Sequence, residues 1–115
     1  MFFSEIDNAL HCSFSNRLDG NTCSAFEQEL LLRIAEFKNS RQDAKVIFDL
    51  DGVVFISSVF LRICLIHHKS FGKEFFSVTN VSEEVYKVFS VSGFAEMMNV
   101  VPLDQARCPE ECENP

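Results

Sequence analysis

Val46-Ile47-Phe48-Asp49-Leu50, closed by Asp51-Gly52, narrows the fold more than any other stretch. A short apolar run bounded by a turn signal reads as a buried strand rather than a helix. After the turn, Val53–Ile56 leads into a helical stretch from Ser57 to Lys69. On that helix Leu61, Leu65 and His68 share one face, and Phe60, Ile63, Cys64 and His67 an adjoining one, so much of its surface must be covered. His67 and His68 are adjacent and point about 100° apart. They do not chelate one ion well, and at least one is expected at the surface.

The flanking segments repeat this alternation. Met1–Ile6 and Ala9–Ser15 are separated by Asp7-Asn8, a turn pair that suits a β-hairpin. Leu10, Cys12 and Phe14 alternate with His11, Ser13 and Ser15, the period of a half-buried strand. Asn16–Gly20 reads as a loop, with Asn21 or Thr22 as the N-cap of a helix from Ser24 to Lys38. Phe26, Leu30, Ile34 and Phe37 form its buried stripe. Gly72 is placed as the stop of the Ser57–Lys69 helix. Glu74–Thr79 is the next strand, and Ser82 opens a further helix with Glu83 and Glu84 at its positive end. Tyr86, Val88 and Phe89 are its expected apolar side, and Phe94–Met98 a short last helix. Strands alternating with helices make the fold class α/β. The domain is expected to span residues 1–101, with residues 102–115 a polar, flexible tail.

Composition excludes several function classes. The 115 residues suit one domain. The formal charge of −7 leaves no basic stripe for nucleic acid. No apolar run approaches membrane-spanning length, and the N-terminus lacks the basic and apolar regions of a signal peptide. The chain has 13 phenylalanines and no tryptophan, so phenylalanine carries the aromatic packing. Five cysteines without framework spacing fit a reduced, cytoplasmic protein. Cys64 reads as a core residue, and Cys108 and Cys112 lack the further pair a zinc site needs. No cofactor and no metal are expected.

Two motifs carry chemistry. Phe48-Asp49-Leu50-Asp51-Gly52-Val53-Val54 resembles the first motif of the haloacid dehalogenase superfamily, and Val78-Thr79-Asn80 its second. That resemblance implies a phosphatase in which Asp49 attacks phosphorus beside Mg²⁺. Such chemistry also needs a metal and a cation to offset the phosphate, and the resemblance implies a later lysine and a later acidic pair. After Thr79 the only lysine is Lys87, within a helical pattern, and the only aspartate is Asp104. Asp49 and Asp51 are therefore read first as strand-end and turn residues.

The second resemblance covers nearly the whole chain, from Ala9 to Val101. Arg17-Leu18-Asp19-Gly20 is similar to the Leu-Asp segment of the STAS domain, the domain of the bacterial anti-sigma factor antagonists. Phe55-Ile56-Ser57-Ser58-Val59-Phe60-Leu61 resembles that family's F-I-D-S-S-G-L. Val78–Ser82 and Phe89–Phe94 resemble its V-N-V-S and L-x-x-T-G-L. The resemblance implies a mixed sheet of about four to five strands against about four helices. It also implies a non-enzymatic regulator that switches partners when Ser58, or alternatively Ser57, is phosphorylated. The implied partner is a serine-kinase anti-sigma factor with an ATP-binding fold, with a phosphatase as a further partner; ATP and Mg²⁺ belong to the kinase. Asp19, Ser57, Ser58, Val59, Phe60 and Arg62 are the expected partner surface. A phosphate on Ser58 would meet free N–H groups at a helix start. Ser57 and Phe60 stand where the family has Asp and Gly. Plain helix capping remains an alternative role for both serines, and a scaffold or adaptor without phosphorylation an alternative function.

Overall fold

The computed structural model describes residues 1–103. The hairpin forms as β1 (Phe2–Ile6) and β2 (Ala9–Ser13). Asp7 and Asn8 both take positive φ, 52° and 63°, which matches the twist of a two-residue hairpin turn. The next elements are β3 (Asn16–Leu18), α1 (Gly20–Asn39), β4 (Lys45–Asp49), β5 (Val53–Ile56) and α2 (Ser58–Phe71). Then follow β6 (Phe76–Val81), α3 (Glu83–Val91), α4 (Phe94–Met97) and β7 (Asn99–Pro102).

The main sheet is five-stranded in the order β1-β2-β4-β6-β7. β1 runs antiparallel to β2, and the other neighbours are parallel, so the sheet is mixed and β4 is its centre, as the Val46–Leu50 run predicts. One face is packed under α1 and α2. Leu10, Cys12, Phe14, Val46, Phe48, Phe76 and Val78 from the sheet meet Leu30, Ile34 and Phe37 of α1 and Phe60, Ile63 and Cys64 of α2 in one core. Phe14, Phe48 and Phe60 lie within 6.0 Å of one another, centroid to centroid, and Phe48 meets Phe76 edge-on at 4.9 Å. The other face carries the half-buried His11, Ser13, Ile47, Ser77 and Thr79.

Four local expectations change. The Asn16–Gly20 loop contains β3, which pairs in parallel with β5 as a separate two-stranded sheet. The N-cap of α1 is Asp19, not Asn21 or Thr22, so the helix starts four residues before Ser24. Val85 and Phe89 are the buried side of α3, while Val88 is exposed. Pro102 closes β7, opposite Val81 at the edge of the sheet, where a missing N–H does not interrupt the ladder. Cys108, Cys112 and nearly all of the expected tail lie outside the described residues.

Candidate functional site

Two helix starts are joined side by side through the carbonyl of Leu18. Leu18 O accepts from Ser57 N at 3.0 Å and from Ser57 Oγ at 2.8 Å. The Cys23 thiol approaches the same oxygen at 3.7 Å. Leu18 ends β3 and Ile56 ends β5, paired in register, so the two strands deliver α1 and α2 to one end of the molecule. Gly20 faces Val59: a Cβ there would lie 3.8 Å from Val59 Cγ2. Asp19 stands between these two contacts. Its Oδ1 accepts from Thr22 N at 2.9 Å, and that N–H holds the carboxyl below its usual range.

Ser57 and Ser58 have different roles. Ser57 is the N-cap of α2 by backbone, yet its hydroxyl makes no capping bond because it is directed to Leu18. The free N–H groups of the first turn therefore have no side-chain acceptor, and that turn holds no acidic residue. Ser58 opens the helix and is exposed. One turn further, Arg62 contacts Glu27 of α1 at 3.5 Å with its side chain about half exposed. Residues four apart on a helix are neighbours, so the Arg62 guanidinium is within reach of any charge placed on Ser58.

Of the six expected surface residues, Asp19, Ser57, Ser58, Val59 and Arg62 lie around this junction. Phe60 is corrected: it is 0% exposed, packed on Phe14 and Phe48. At about 100° per residue it points to the opposite side of α2 from Ser58 and Arg62, into the core and out of reach of a partner. The sequence reading missed Leu18 O, Gly20 and Glu27. It also missed the guanidinium of Arg17, 4.4 Å above the Phe55 ring on the adjoining small sheet. The glycine after Asp19 was the available signal.

The two phosphatase motifs do meet, since Asp49 and Thr79 are opposite each other on β4 and β6. Asp49 Oδ1, however, accepts from Asp51 N at 3.0 Å and from Asn80 Nδ2 at 2.9 Å. The carboxylate ties the turn after β4 to a positive-φ residue in β6, which is the strand-end role read first. Among the described residues no group of three or more metal-binding side chains forms, and no helix is long and apolar enough to cross a membrane.

Solved structures share this architecture. An anti-sigma factor antagonist from Mycobacterium paratuberculosis superposes with a TM-score of 0.74 at 24% identity, over 88% of this chain and 83% of that one. An anti-sigma-factor antagonist (STAS) domain protein from Planctomyces limnophilus gives 0.72 at 20% identity, over 96% and 92%. The sequence matches no protein-family model and no curated protein. The fold is the STAS fold.

Proposed function

We propose that this STAS-fold chain is a cytoplasmic regulator of the anti-sigma factor antagonist kind, without enzymatic activity, whose choice of partner depends on phosphorylation of Ser58. The observation that carries this reading is the exposed Ser58 hydroxyl on a helix start left open by Ser57. A kinase would transfer the γ-phosphoryl group of ATP to Ser58 Oγ, releasing ADP, with the hydroxyl proton passing to the kinase. The added charge, close to −2, is favoured by the free N–H groups of α2 and by Arg62. The same charge adds to that of the ionised Asp19 at the junction, so the surface presented to a partner becomes more acidic. Ser57 is the poorer acceptor because its hydroxyl would first have to leave Leu18 O.

The partner class that fits is an anti-sigma factor with serine-kinase activity and its own ATP and Mg²⁺ site, with a phosphatase to reset the serine. Incubating the purified chain with ATP and a kinase of that class from the same cells should raise its intact mass by a single phosphate. Ser58→Ala should abolish the gain, and Ser58→Asp should weaken capture of the kinase. Phosphate that persists in Ser58→Ala overturns the assignment. Unchanged capture by Ser58→Asp would instead make the chain an adaptor that works without phosphorylation.

A further inference from the structure

The geometry points to a second interaction surface, the free edge of β1, which fits a second copy of the same chain in one antiparallel register. β1 ends the main sheet with no strand beyond it among the described residues. Its hydrogen-bonding parity follows from β2. Asn8 O accepts from Lys45 N and Phe14 N donates to Asp49 O, so the even-numbered residues of β2 serve β4 and the odd-numbered ones serve β1. Ala9, His11 and Ser13 face Ile6, Ser4 and Phe2 in the ladder. In an antiparallel pair, hydrogen-bonded and non-bonded positions alternate. Phe3 and Glu5 therefore direct their N–H and C=O groups outward.

A two-fold pairing must match outward groups with outward groups. Centring it on Ser4 sets Phe3 opposite the second copy's Glu5, twice. The same register sets Phe2 opposite the second copy's Ile6, twice, on the open face of the sheet. Phe2 is 78% exposed and Ile6 53%, so the apolar surface that a lone chain leaves in water is what this register covers. Moving the centre to Phe3 or Glu5 keeps the hydrogen-bond parity but sets Phe2 or Ile6 against Ser4, which wastes both. An apolar, unprotected edge is otherwise a liability that proteins block with charge or proline. Here the strand's one charge, Glu5, is bound at 2.7 Å by both Arg33 and Arg41.

Charge agrees with this occupant, and area limits how tightly it is held. The Arg33 guanidinium lies 5.5 Å from the centre of the Phe3 ring, so the second copy's Glu5 arrives against a cation. The strand is only about 17 Å long, and its edge alone covers less than the ~1,200 Å² of a standard interface. The association is thus reversible and concentration-dependent. Arg33, which holds Glu5 of β1, stands about 20 Å along α1 from its start, so each copy keeps its Ser58 junction free, and the pairing is independent of phosphorylation.

Sedimentation of the full chain across a wide concentration range tests the pairing. The mass should rise from 13.1 kDa towards twice that value as concentration increases. Phe2→Lys/Ile6→Lys, which puts like charges across each pair, should keep it monomeric. Phe2→Lys/Ile6→Glu, which puts opposite charges across the same pairs, should restore the dimer. Ser4 faces itself at the axis. In a Cys108→Ser/Cys112→Ser background, Ser4→Cys should therefore cross-link on oxidation and Ile6→Cys should not. A chain that stays monomeric throughout, or one whose dimer ignores Phe2→Lys/Ile6→Lys, overturns the inference. Equal cross-linking by Ser4→Cys and Ile6→Cys overturns the register.

Discussion

His67 is 3% exposed, stacked near Phe76 with ring centroids 6.4 Å apart and 5.7 Å from Phe48. Its Nδ1 is 3.2 Å from Ile63 O, where a neutral ring donates. Burial, assisted by the charge of Lys38, pushes its pKa down to about 4 from 6.5. The unfolded chain therefore takes up the proton first. Stability is complete above pH 6.5, falls as pH drops towards 4, and is flat below that on this account. The expected loss between pH 7 and pH 5 is about 2 kcal/mol. Glu5 and Asp19 act lower. The hydrogen bond from Arg33 and the Thr22 N–H hold their carboxyls below the usual range, so their contributions are full above it and fade only in stronger acid. Urea unfolding at the two pH values should show the loss, and His67→Phe should flatten it. A slope that survives that substitution would assign the effect to other groups. The adjacency of His67 and His68 showed that they diverge on a helix, but not which one faced the core. That was decided by Phe48 and Phe76, which come from strands far away in sequence.

Three serines begin helices or stand beside their starts, and they separate capping from exposure. Ser82 Oγ accepts from Val85 N at 3.3 Å, so Ser82→Ala should cost α3 about 1 kcal/mol. Ser57→Ala removes the 2.8 Å bond that joins α2 to β3, a loss of about 1 kcal/mol. Ser58→Ala touches no bond in the free chain and should stay within about 0.5 kcal/mol of the parent. Thermal or urea unfolding of the three variants checks that order; a Ser58→Ala as damaging as Ser57→Ala would make Ser58 a structural residue. Elements with their own periodicity were legible in the sequence. The alternation in β2, the stripe on α1 and the cap at Ser82 each depend on residues close in the chain. β3 and β5 were not, because three residues of strand carry little pattern and their pairing joins segments some forty positions apart. The same distance hid the junction itself. The two serines were readable from a strand followed by a helix, whereas the acceptor that turns Ser57 away from capping is a backbone carbonyl of another element.

At the scale of the molecule, the first turn of α2 is held to the sheet through Phe60. The ring meets Phe14 of the β2 segment at 5.4 Å and Phe48 of central β4 at 6.0 Å, while the residue's own backbone lies in the first turn of α2. Rigidity at the Ser57–Ser58 surface is thus a property of the phenylalanine core. Phe60→Ala should cost about 3–5 kcal/mol, a large share of the 5–15 kcal/mol typical of a domain. With a urea slope of about 2 kcal/mol per molar, the midpoint should fall by roughly 2 M. The slope itself should hold, because the same surface is exposed on unfolding. Amide exchange in Ser57–Arg62 should accelerate under conditions where β2 and β4 remain protected, since the first turn loses its anchor before the sheet opens. If exchange in that turn kept pace with the sheet, the anchor would lie in Ile63 and Cys64 instead. The Ser57–Ser58 surface would then be set from the middle of α2 and not from its start.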